Sequence, residues 1–173
     1  MTEREAMRER EAEAKGVNLY EEIFKVREEE DERIANARVV IKGNEIPWEH
    51  GRQAILRWYT HPRIKDTALT TMWMFVHDIR SHSGRHRHQG GLALFVLEGK
   101  GYTTVDGVRH DWEKGDLILL PIKEDGVEHQ HFNLDPDKPS RWLALAPLPL
   151  WDQLGWELTQ VDTHPDWKGR TGG

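Results

Sequence analysis

A chain of 173 residues is long enough for one core, and its lack of cysteine excludes disulfides, thiolate zinc sites, iron–sulfur clusters and a cysteine nucleophile. Its 24 Lys and Arg against 30 Asp and Glu, net −6, exclude a global nucleic-acid or membrane footprint. It has no apolar run of 18 residues, and the charged start MTEREAMRERE does not read as a signal peptide, so a cytoplasmic location is expected.

Residues 2–38 form one charged block with 12 acidic and 8 basic residues and no proline. Leu19, Ile23, Val26 and Ile34 recur at roughly helical spacing, and Glu21 with Lys25 and Glu29 with Arg33 stand four apart. Gly16-Val17-Asn18 interrupts the pattern. A first helix, a break and a firmer helix over 19–37 are expected, either lying on the domain or serving as a dimerisation arm.

From Val39 the composition turns to short Val, Leu, Thr, Trp and Tyr runs between Gly and Asp turns. Strands are expected over 39–41, 54–58, 68–78, 92–97, 102–105, 108–112, 116–120, 128–133 and 141–147. Asp106-Gly107 is a two-residue hairpin signal. Many short strands at near-regular spacing indicate an antiparallel barrel or jelly roll over 39–160. A short helix is expected over 150–158. A mobile tail is expected over 161–173, most clearly from the Gly-rich stretch at Lys168.

Histidine is the informative residue: ten in all, seven of them between positions 77 and 131. In His86-Arg87-His88 the imidazoles stand at i and i+2, on the same side of a strand. His129-Gln130-His131 repeats the arrangement. Two such pairs facing one interior supply three or four nitrogen ligands for one ion at about 2.0–2.2 Å each.

The stretch from Arg85 to Asn133, RHRHQGGLALFVLEGKGYTTVDGVRHDWEKGDLILLPIKEDGVEHQHFN, resembles the core of a cupin. His86, His88 and Gly99 match the first cupin motif; Gly115, Pro121, Gly126, His129 and Asn133 match the second, with about three extra residues between Pro121 and Gly126. Two positions depart from the pattern: Arg80 stands where the first motif has Gly, and Leu92 where it has a ligating Glu. A three-His centre without that Glu is similar to the gentisate-type ring-cleaving dioxygenases. The resemblance implies a jelly-roll barrel with His86, His88 and His129 as metal ligands. His131 then lies close by on the inner face, as an acid/base or as an orienting hydrogen-bond partner. It implies one divalent metal, Fe(II) first, although imidazole ligands also suit Mn, Ni, Cu or Zn. Those relatives usually carry two cupin domains; this chain has one.

The activity so implied is that of a mononuclear non-haem dioxygenase acting on a small hydroxylated aromatic or related oxygen-chelating compound. Its partners would be that substrate and dioxygen, with no nucleic acid or membrane, and an exposed sheet edge points to a homodimer. The alternative is a cupin ligand-binding module or accessory subunit, or a metal-dependent isomerase or decarboxylase. Arg85, Arg87, Gln130 and His110 are expected on the outer face, and Trp73, Trp112 and Trp142 in barrel packing. His77 and His82 are expected either at the mouth or in structural roles.

Overall fold

The computed structural model describes residues 3–169. The chain divides into two compact units. The smaller holds the N-terminal residues through Val39 together with Asp66–Ala68. In it, α1 spans Glu3–Ala14 and α2 spans Leu19–Ala35. Asn18 caps α2, its side-chain oxygen accepting the Tyr20 amide at 3.1 Å, which explains the break read from Gly16-Val17-Asn18. The ion pairs of α2 differ from those expected. Lys25 pairs with Glu22 and Arg33 with Glu30, both at i,i+3, and Arg27 with Asp31 at i,i+4. No strand forms over 39–41. Arg38 instead makes an isolated parallel bridge to Thr67, with its N–H and C=O bonded to Asp66 and Ala68.

The larger unit is mostly β, with two antiparallel sheets. Its strands are β1 (Glu49–His50), β2 (Ile55–Thr60), β3 (Met72–Ile79), β4 (His86–His88), β5 (Ala93–Glu98) and β6 (Lys100–Val105). They continue with β7 (Val108–Glu113), β8 (Leu117–Leu119), β9 (Val127–Asn133), β10 (Ser140–Pro147) and β11 (Thr159–Gln160), and α3 spans Leu148–Leu154. One sheet has the order β1-β2-β3-β10-β5-β8 and the other β11-β4-β9-β6-β7.

Alternation along β10, with every second residue from Ser140 buried, marks the face turned to the core. That core gathers Phe75, Leu94, Val96, Trp112, Trp142 and Ala144, and Leu92 is buried in it. Gly101 makes room for Trp112: a Cβ there would lie 2.5 Å from the Trp112 ring and 2.0 Å from the Phe132 carbonyl oxygen. Asp106 and Gly107, at φ 48° and 84°, form the hairpin turn that the sequence announced. Asn133 of the second motif is a structural pin. Its amide donates to the carbonyls of Arg80 and Lys138, and its oxygen accepts the Asp135 amide and the Ser140 hydroxyl.

The short β1, β4 and β11 were not among the expected strands. Two or three residues carry too little pattern to be seen, and each forms by pairing with a longer neighbour. The start of the expected tail is tied down. Val161 and Asp162 donate to the Arg85 carbonyl and His164 to that of Arg52. Residues 170–173 of that tail lie outside the described residues.

Candidate metal centre

The centre follows from strand register. In the antiparallel pair β4–β9, His86 is the direct partner of His129, and His88 that of Val127. The period of two then places His88 on the same face as His86, and His131 on the same face as His129. All four imidazoles are at most 3% exposed. His86 and His129 have ring centroids 4.2 Å apart, and His88 and His129 4.7 Å. His86, His88 and His129 each offer a nitrogen, the three lying within 4.8 Å of one another, so this cluster can hold one metal ion. His131 stands outside that trio, its ring 5.5 Å from that of His129.

Burial keeps these rings neutral, which is the form that ligates. Desolvation lowers His86 to about 4. Desolvation, then the charge of His86, lowers His88 to about 3. The same causes press His129 well below the usual histidine range. Hydrogen bonds fix two of the tautomers. His86 Nδ1–H donates to the Gly84 carbonyl at 3.2 Å and His129 Nδ1–H to that of Val127 at 3.1 Å, leaving both Nε2 atoms unprotonated.

His88 is set the other way round. The Gly90 amide donates to its Nδ1 at 3.0 Å, so the proton of the neutral ring sits on Nε2. To ligate an ion, His88 must give up either the Gly90 bond or that proton. Three neutral imidazoles suit a borderline divalent ion. They leave its charge uncompensated, so it favours an anionic oxygen partner.

His131 belongs to a second network. The Trp112 indole donates to Thr103 Oγ1 at 2.9 Å, and that hydroxyl lies 2.7 Å from His131 Nδ1. Thr103 is fully buried and is the register partner of His131 across β6–β9. In one arrangement the Thr103 hydroxyl accepts the indole N–H and donates its own O–H to His131 Nδ1, which leaves Nε2–H of His131 to face another group. From the opposite sheet, Trp142 on β10 packs 4.7 Å and His77 on β3 6.4 Å from the His131 ring. Neither nitrogen of His77, nor the Trp142 indole nitrogen, has a hydrogen-bond partner among the described residues. Desolvation, then the charge of His86, lowers His77 to about 3.

Other side chains fall as alternation required. Arg85 and Arg87 point outward, both 3.6 Å from Glu128, and His110 is exposed. Trp112 and Trp142 are core residues, while Trp73 is half-buried beside Trp151 and Trp156. Gln130 is not simply outside: its amide bonds to His82 and the Ser83 carbonyl. Sequence reasoning missed Gln53, whose amide nitrogen lies 3.0 Å from His86 Nε2, and Trp151, whose ring lies 5.0 Å from that of His88. Neither belongs to a motif; the fold alone brings them there.

A family model described as a cupin domain matches residues 74–146. Gentisate 1,2-dioxygenase from Ralstonia sp is 42% identical over 66 residues, which are 38% of this chain and 18% of that enzyme. The chain thus matches less than a fifth of that relative's length. A cupin-like protein from Thermotoga maritima shares the fold at TM-score 0.53 and 15% identity, over 75% of this chain and 92% of that one. Salicylate 1,2-dioxygenase from Pseudoaminobacter salicylatoxidans, solved with gentisate adducts, superposes at TM-score 0.52 and 25% identity, over 73% of this chain and 35% of that one. The chain carries a cupin domain, and gentisate 1,2-dioxygenases are among its distant relatives.

Proposed function

We propose that this chain is a mononuclear non-haem iron dioxygenase acting on a small hydroxylated aromatic. The observation that carries the reading is the trio His86, His88 and His129, buried, neutral and converging, inside a stretch similar to gentisate 1,2-dioxygenase. In this reading the three rings are the ligands and iron(II) the ion. Bound there, such an ion would supply a Lewis-acid centre that brings an oxygen-chelating substrate and dioxygen together.

The protein's own groups then do three things. The buried rings hold their lone pairs unprotonated at neutral pH. Trp151, 5.0 Å from the His88 ring, and Trp142, 4.7 Å from that of His131, supply apolar surface that would keep water from the reacting centre. His131, its Nδ1 held by Thr103, presents Nε2–H to a substrate oxygen, where it orients the ring and exchanges a proton. This assigns His131 the catalytic role and makes Thr103 and Trp112 its positioning partners. We place the enzyme in the cytoplasm as a homodimer, with dioxygen and the aromatic as its only partners. The test is oxygen uptake by iron-loaded protein across dihydroxy and hydroxy-carboxy aromatics. Tight binding of one such compound without its consumption would favour the ligand-binding alternative.

A further inference from the structure

The fourth position around the three histidines is the least explained part of the centre. Leu92, where the cupin motif has a ligating Glu, is buried among apolar side chains and offers no donor. A different residue reaches the centre from another part of the chain. Gln53, in the turn before β2, places its amide 3.0 Å from Nε2 of His86, the nitrogen that the Gly84 bond leaves free for an ion. Resting on the metal reading above, we infer that Gln53 is a fourth metal ligand, bound through its side-chain oxygen.

Three observations support this. The first is distance. Two ligands about 2.1 Å from one ion at a right angle lie about 3.0 Å apart, the separation between the Gln53 amide and His86 Nε2. The second is the amide's two-faced chemistry. With no ion, its N–H donates to the His86 lone pair. Once that lone pair is engaged by an ion, the donor has no acceptor, and a half-turn of the amide brings the oxygen to the same place.

The third is anchoring. The Gln53 carbonyl accepts the Gly84 amide at 2.7 Å, so its backbone is fixed to the segment that leads into His86. The approach is too close for any side chain at Gly84: a Cβ would sit 2.6 Å from the Arg52 carbonyl oxygen and 2.7 Å from that of Asp162. On its other side Gln53 is followed by Ala54 and Ile55, both buried. The amide is therefore held at the rim of the centre rather than swinging in solvent.

Gln53 differs from the missing Glu in charge. A neutral amide completes the coordination but leaves the ion its full positive charge, so affinity for an anionic chelating substrate is kept while affinity for the ion itself stays moderate. Gln53→Glu should reverse that balance.

The experiment is a titration of the full metal-free chain with cobalt(II), followed by its visible absorption and by competition with a chromophoric chelator. Wild type should bind one ion. Gln53→Leu should weaken it about tenfold or more and change the cobalt spectrum. Gln53→Glu should bind about tenfold more tightly than wild type, again with a changed spectrum. Melting of the metal-free proteins checks folding, and Gln53→Glu, nearly the same size, guards against a collapsed loop in Gln53→Leu. If both variants keep the wild-type spectrum, whatever their affinity, Gln53 is not a ligand and the inference is overturned. If wild type itself binds no cobalt, the metal reading has failed, a result that this inference does not share with its own failure.

Discussion

His86 and His129 stand directly opposite each other on β4 and β9, with ring centroids 4.2 Å apart and both Nδ1–H groups tied to backbone carbonyls. A strand pair thus fixes two candidate ligand rings in position and tautomer. His88, bonded through Nδ1 to the Gly90 amide, is the ring that has to change.

One divalent ion should therefore bind per chain and be lost on replacing His86, His88 or His129 by Ala. Loading should also release the Gly90 amide from His88. The check is amide hydrogen exchange or the amide NMR shift at Gly90 with and without zinc. Faster exchange at Gly90 on loading, with no change at Gly84, is the expected pattern. Unchanged Gly90 would mean that His88 either gives up its Nε2 proton to the ion or is not a ligand.

The metal-free protein should be acid-sensitive. Of the six buried histidines with lowered folded pKa values, five stand in or beside the centre: His77 and His88 lowered to about 3, His86 to about 4, and His129 and His131 well below the usual range. Unfolded histidine titrates near about 6.5. Between those values the unfolded chain binds more protons than the folded one, so stability is full above the unfolded pKa and falls as pH falls. Each ring contributes a slope of about 1.4 kcal/mol per pH unit in that window, or up to about 7 for all five. Melting of chelator-treated protein from pH 8 to pH 5 should show a steep fall below about pH 6. A flat melting temperature over that range would be incompatible with five rings held neutral.

His77 is a buried polar side chain with neither nitrogen partnered among the described residues. Such a group costs stability unless something else uses it. His77→Leu should raise stability by about 1–2 kcal/mol, read by denaturant melting. The same variant should lower turnover if a substrate group is what His77 meets. Loss of stability would show that its nitrogens are satisfied in the folded protein.

The centre was legible in the sequence because two His-x-His pairs need only strand alternation to converge. Gln53 was not, because its place beside His86 depends on a loop contact across 33 positions that no local pattern encodes. The strand expected at 39–41 failed for a similar reason: Val39 and Val40 suit a strand, but the pairing found beside them is a single bridge of Arg38 with Thr67 that does not extend past Arg38. The hairpin at Asp106-Gly107 and the cap at Asn18 were visible because turn and cap chemistry is local.

The homodimer proposal rests on sheet edges, since β7 and β8 each end a sheet, and Val108, Leu117 and Leu119 are exposed on them. The second surface is α2, where Leu19, Tyr20, Ile23 and Phe24 are exposed. Mass in solution should be that of two chains. Leu117→Lys with Leu119→Lys should give a monomer if the edge is the interface, and Ile23→Glu with Phe24→Glu if the helix is. A monomeric wild-type chain would remove the dimer.

In the proposed function this three-histidine centre activates oxygen on a hydroxylated aromatic. The most direct measurement is oxygen consumption by fully iron(II)-loaded protein across catechols, hydroquinones and gentisate-like acids. One oxygen should be consumed per substrate molecule for at least one compound. Uptake should be abolished by His129→Ala and slowed by about 10²–10⁴ in His131→Ala with iron still bound. No uptake with any of these compounds, by protein shown to hold one iron per chain, would contradict it.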